Sequence, residues 1–108
     1  MSVLDEMDHW VLDGHEPKRV ALADWLAWVS AGPSRRVAED TIGDAWVSTV
    51  FLSVDHGFGG RPILFETMIF GGQYENGCWR YGSWDAAEAG HRRVAEAMRG
   101  GRDPEAEA

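Results

Sequence analysis

Two apolar stretches, Trp46 to Val54 and Pro62 to Gly71, stand either side of a glycine-rich segment, Asp55-His56-Gly57-Phe58-Gly59-Gly60-Arg61. Both are rich in β-branched and aromatic residues, which suit a pleated, buried surface. They are predicted to be the two central strands of an antiparallel sheet, folded back on each other through the loop. In the second stretch Leu64, Glu66, Met68 and Phe70 share one face, and Ile63, Phe65, Thr67 and Ile69 share the other. Both faces are apolar enough that the sheet is expected either to be covered on both sides or to meet a partner on one.

Upstream, His9 to Asp13 has the character of a short edge strand closed by an Asp13-Gly14 turn. Leu22, Trp25, Leu26 and Val29 fall at i, i+3, i+4 and i+7, the stripe of an amphipathic helix. Asp24 complements its dipole, and Ala31-Gly32-Pro33 ends it. Arg36 to Ile42 forms a weaker strand turning at Gly43-Asp44. Downstream, Asn76-Gly77 is a type I′ hairpin signal that would pair Tyr74 with Trp79 and Glu75 with Cys78, opening a strand over Cys78 to Tyr81. Ser83 is an N-cap for a last helix whose stripe runs Trp84, Ala87, His91, Val94, Met98 and stops at Gly100-Gly101. Residues 1–8 are expected to be a flexible N-terminus and 101–108 a polar tail, leaving 9–100 as a single domain. The order β–α–β–β–β–β–α indicates an α+β fold: a mainly antiparallel sheet of four to five strands with two helices.

Composition narrows the function. At 108 residues with 44% hydrophobic content and six tryptophans, the chain is an ordered globule and not a disordered segment. One cysteine, Cys78, cannot form an internal disulfide, which fits a reducing cytoplasm. The chain carries 18 acids and 10 bases, a formal charge of −8. That sign opposes binding to nucleic acid or to an anionic membrane surface. It suits either simple dispersal of a soluble protein or an acidic face that docks on a basic partner. No stretch approaches a membrane span, and Met1 to Glu6 lacks a signal-peptide pattern, so a cytoplasmic protein is expected.

Candidate chemistry is sparse. The loop after Asp55 leads into a strand and lacks a P-loop lysine, so it is a hairpin connection and not a phosphate cradle. Asp55 beside His56 offers an acid that can orient an imidazole. Ser48, Thr49 and Ser53 are nucleophiles only in the sense that most strands contain such residues. Glu66 interrupts an apolar strand and needs a partner; Arg80, or His91 from the last helix, can supply one. The candidate catalytic set is therefore Asp55, His56, Glu66 and His91. Their spacing singles out no metal, and no cofactor is implied. Trp28, off the centre of its helix stripe, together with Trp79 and Tyr74, are candidate anchors of a binding interface, where aromatic residues dominate the energy.

Val47-Ser48-Thr49-Val50-Phe51-Leu52, then Asp55-His56, Leu64-Phe65-Glu66-Thr67-Met68, Phe70-Gly71-Gly72, Arg80-Tyr81, Ser83-Trp84 and Glu88-Ala89-Gly90-His91 together form a pattern. It resembles a family of small proteins encoded by bacteriophages, prophages and related actinobacterial genomes. The likeness covers about residues 36–95, with a looser echo in Trp10 to Gly14. The family has no established activity, so the resemblance implies a phage or mobile-element setting and carries over no functional residue. Ser53 stands where the family pattern has glycine.

Three functions are compatible with these features. The first is a non-enzymatic phage accessory protein acting by protein binding, on a host factor or a defence component. The second is a small hydrolase or ligand-binding protein using the Asp/His/Glu cluster. The third is a self-associating structural protein, a homodimer built on an uncovered sheet face.

Overall fold

The two apolar stretches do form the central strands. The computed structural model describes residues 9–55 and 60–107. In it β3 (Arg36–Ile42), β4 (Ala45–Phe51), β5 (Phe65–Phe70) and β6 (Cys78–Tyr81) form an antiparallel meander in sequence order. Before it lie β1 (His9–Asp13), β2 (Glu16–Val20) and helix α1 (Leu22–Ser30); after it come α2 (Trp84–Arg99) and α3 (Pro104–Glu107). The protein is a single α+β domain.

One face of the meander is packed against α2, which crosses all four strands. Val47, Thr49 and Phe51 of β4 and Phe65, Thr67 and Ile69 of β5 point to that face and are fully buried. The helix meets them with small residues, Ala87, Gly90, Ala95 and Ala97, plus Val94 and His91. Two apolar clusters result. Ala45, Val47, Ile69 and Val94 form one; Phe51, Leu64, Phe65 and Ala87 form the other. Gly90 is required here, because the ring of Tyr81 occupies the place a Cβ would take. Ser83 caps α2 as expected, its Oγ accepting from the Ala86 amide at 3.1 Å.

Several expectations are corrected. Glu-Pro-Lys-Arg-Val over 16–20 has no strand pattern, yet it pairs with β1 as a separate two-stranded hairpin. Local pairing across the Asp13-Gly14 turn supplies the backbone partners that the side chains do not announce. The hairpin joins the body through the Trp10 amide on the Ser53 carbonyl and through His15, stacked on Trp84 at 3.8 Å. The tight Asn76-Gly77 hairpin does not form. Instead Met68 faces Cys78 and Glu66 faces Arg80, with 71–77 as an open loop. Asn76 supplies its positive φ of 75° within that loop, where its amide donates to the Ile69 carbonyl. Tyr74 and Trp79, expected as a cross-strand pair, instead pack separately on the first core cluster.

Helix α1 is rotated from its predicted stripe. Leu26 is 48% exposed, whereas Trp28 turns inward onto the edge of Phe51 at 5.9 Å. One large ring gains more from burial than one leucine, so the helix turns to suit it. The strands are shorter than their apolar patterns: β4 stops at Phe51, two residues before Ser53 with its left-handed φ of 65°, and β5 begins at Phe65. The left-handed conformation suits glycine better than serine. The expected polar tail closes into α3, with Pro104 buried and Asp103 accepting from the Glu105 amide. The expected flexible N-terminus, 1–8, lies outside the described residues.

Candidate functional site

The polar candidates divide between the two faces of the sheet. On the covered face Thr49 and Thr67, direct partners on β4 and β5, face His91 of α2. The Thr67 and Thr49 hydroxyls are 2.5 Å apart, and Thr49 Oγ1 lies 2.7 Å from His91 Nδ1. His91 Nε2 is 2.7 Å from Asp40 Oδ2 on β3, and Arg99 donates to Asp40 Oδ1 at 2.6 Å. With a neutral imidazole every group is satisfied: Nε2–H donates to Asp40, Thr49 donates to Nδ1, and Thr67 donates to Thr49. The hydrogen bond from His91, aided by Arg99, holds the Asp40 carboxyl below the usual carboxylate range despite partial burial. Burial pushes the nearby Tyr81 phenol up. Thr67 draws it slightly the other way, yet no hydrogen bond of acceptable geometry reaches the Tyr81 hydroxyl.

Hydroxyl, imidazole and carboxylate in this order share the connectivity of a nucleophile, its base and the group that orients the base. Access decides against that chemistry. Thr49 and Thr67 have no exposed surface, His91 has 4%, and neither threonine nor the histidine lines a described cavity. The chain of hydrogen bonds is a structural tie that fixes α2 against β3, β4 and β5.

Glu66 lies on the opposite face. It accepts from Arg80 Nε at 2.9 Å, with the Cys78 thiol at 3.5 Å. Of the two partners proposed for Glu66, Arg80 is the one the fold provides; His91 is on the other side of the sheet. Asp55 closes a loop, its Oδ1 accepting from the Ile63 amide at 2.9 Å. His56 lies outside the described residues. Asp55, Glu66 and His91 therefore do not share a site. Among the described residues no three His, Cys, Asp or Glu side chains gather as a metal-holding group. Trp28, Trp79 and Tyr74, proposed as interface anchors, are half-buried and packed on the core.

A cavity of about 650 Å3 lies between the β1–β2 hairpin and the body, walled by Trp10, Pro17, Pro62 and Leu64, with Glu16 and Arg61 among its lining residues. Neither Asp55, Glu66 nor His91 lines it.

The open face of the meander is the more distinctive surface. Across β3 to β6, paired positions place Arg36, Val50, Glu66 and Arg80 in one row. Glu39, Ser48, Met68 and Cys78 form the next row, followed by Thr41, Trp46 and Phe70. No described helix covers these side chains. Phe70 is 46% exposed and sits 5.2 Å from the Trp46 ring. Trp46 is pinned in turn: its Nε1 donates to Glu39, and the Arg36 guanidinium lies over its ring at 5.2 Å. Arg36 also donates to Glu39 at 2.6 Å. Ser48, the small residue in the middle, floors a recess of about 140 Å3 bordered by Trp46, Val50, Glu66, Met68 and Phe70.

Sequence reasoning missed Asp40 and Arg99 in the covered network, and Trp46 and Phe70 on the open face. A signal existed for the first: Asp40 stands between Ala38 and Ile42 on one strand face, as His91 interrupts an apolar helix stripe. Two polar interruptions of two facing apolar surfaces belong together. No protein-family model, curated protein or solved structure matches this chain. Among the described residues no helix is long and apolar enough to cross a membrane.

Proposed function

We propose that this protein acts by binding protein, with the open face of β3–β6 as its docking surface. The observation that carries this reading is the exposed Phe70, packed against the half-buried Trp46 beside the Ser48 recess. An uncovered sheet face is ordinarily polar, whereas this one combines aromatic and aliphatic side chains that a partner can desolvate. The trapped Trp46 ring is already ordered, so docking has little side-chain entropy to remove at that point. The likeness to phage and prophage proteins supports an accessory role in a phage or mobile-element setting. The cytoplasm is the compartment proposed for it, and the burial of the Thr49–His91–Asp40 chain favours binding over catalysis.

The test is a paired capture from host lysate at physiological salt. Tagged wild-type chain and a tagged Trp46→Glu/Phe70→Glu variant are compared, each with an untagged copy of the wild-type chain added. Protein held by the first and lost by the second supports the reading. Equal capture by both, or none by either, overturns it.

A further inference from the structure

The occupant of this face is open to inference from its charge and its relief, given the reading that it is a docking surface. The chain carries a formal charge of −8. The open face does not share that surplus: Arg36 pairs with Glu39 and Arg80 pairs with Glu66, two bases against two acids. A basic partner would find no unpaired acid here to recognise. A second copy would bring up no unpaired like charge, while the negative surplus of each copy stays on other surfaces.

Relief points the same way. A two-fold contact is self-complementary, so one patch must present both a projection and its receptacle. The face has both: Phe70 projects, and the recess of about 140 Å3 lies beside it over Ser48. A cavity of about 150 Å3 holds a benzene ring, so the recess is the size of one phenylalanine ring. We infer that this face is closed by a second copy of the chain, packed sheet on sheet about a two-fold axis. Phe70 of each copy then enters the Ser48 recess of the other.

Four strands about 4.8 Å apart and six residues long give a footprint of roughly 400 Å2. Two copies together cover roughly 800 Å2, below a standard specific interface and in the range of weak, transient contacts, so association is weak and concentration-dependent.

Sedimentation equilibrium of the full chain over a range of protein concentration and salt tests the inference. Dimer is expected, and its formation strengthens as salt screens the repulsion between two −8 molecules. Phe70→Ala weakens it by about 30-fold or more, the loss typical of a central anchor. Ser48→Leu, which fills the recess, weakens it as well. Thermal melts of both variants check that the fold is retained. Monomer at about 1 mM protein, where a dissociation constant as weak as about 1 mM would still populate the dimer, overturns the inference. So does association that weakens with salt or ignores both substitutions. If the chain is monomeric yet captures another protein through Trp46 and Phe70, the docking reading stands and the second copy falls. If it does neither, both fall.

Discussion

The two faces of one four-stranded sheet solve opposite problems with similar residues. The covered face buries a histidine, two threonines and part of a carboxylate, and satisfies them through a single chain of hydrogen bonds from Thr67 to Arg99. The open face leaves Phe70 about half in solvent against a half-buried Trp46 and keeps its four charges paired beside them. Polarity is thus a poor guide to which side of this sheet is inside. What separates the faces is the helix: α2 has the small residues that allow close approach, and the open face has no such counterpart.

His91→Ala is the change that attacks the covered face hardest. It removes the centre of the buried network and leaves Thr49 with Thr67 alone and Asp40 with Arg99 alone. A loss of about 3 kcal/mol is expected from the cavity and the orphaned groups together. Chemical denaturation measures it, and a change below about 1 kcal/mol would mean that the chain of hydrogen bonds contributes little.

Gly90→Ala comes next. On an exposed helix that substitution stabilises by about 1 kcal/mol. Here the new methyl meets the Tyr81 ring, so a net destabilisation of about 2 kcal/mol is expected. In a Tyr81→Leu background most of that cost should vanish, which a double-mutant cycle reads directly.

Acid sharpens the comparison further. Asp40 is held below its ordinary value, near 3.9 in a free chain, by His91 first and Arg99 second. A depressed carboxyl contributes stability that is present above the unfolded value and lost as pH falls through the folded one. Melting temperature should therefore drop on acidification below about pH 4. Asp40→Asn should start lower, by about 1.5 kcal/mol, and show a shallower acid limb. Equal slopes in the two proteins would remove Asp40 as the group responsible.

The smallest effect belongs to the open face. Phe70→Ala, decisive for the inferred association, should change the stability of the isolated fold by no more than about 0.5 kcal/mol. Measured at protein concentrations too low for association, a larger loss would show that the face is part of the core.

The strands were legible because β-branched and aromatic residues are concentrated in 45–51 and 65–70, and α2 because its cap and stripe agree. Glycine at 90 was a further clue, since a mid-helix glycine is costly and needs a reason. The β1–β2 hairpin was not legible: Glu16 to Val20 is held by backbone pairing and turn geometry, and its side chains carry no period. Nor was the orientation of α1, which depends on a contact between Trp28 and Phe51, 23 positions apart in sequence. The Asn76-Gly77 signal misled because the loop from Gly71 uses Asn76 for its own left-handed turn. The candidate cluster mixed residues from opposite sides of the sheet. Alternation says which residues share a face, but pairing Glu66 with His91 also required knowing which face α2 would choose.

Cys78 ends the middle row of the open face, next to Met68 and within reach of Glu66. It is exposed, yet partial burial and then the Glu66 charge hold its thiol above the usual range, so it reacts slowly at neutral pH. The protein therefore comes with a native footprinting probe. The speed at which an alkylating reagent consumes this sulfur in alkaline buffer is a clock for how long the surface around it stays bare, with no engineered residue.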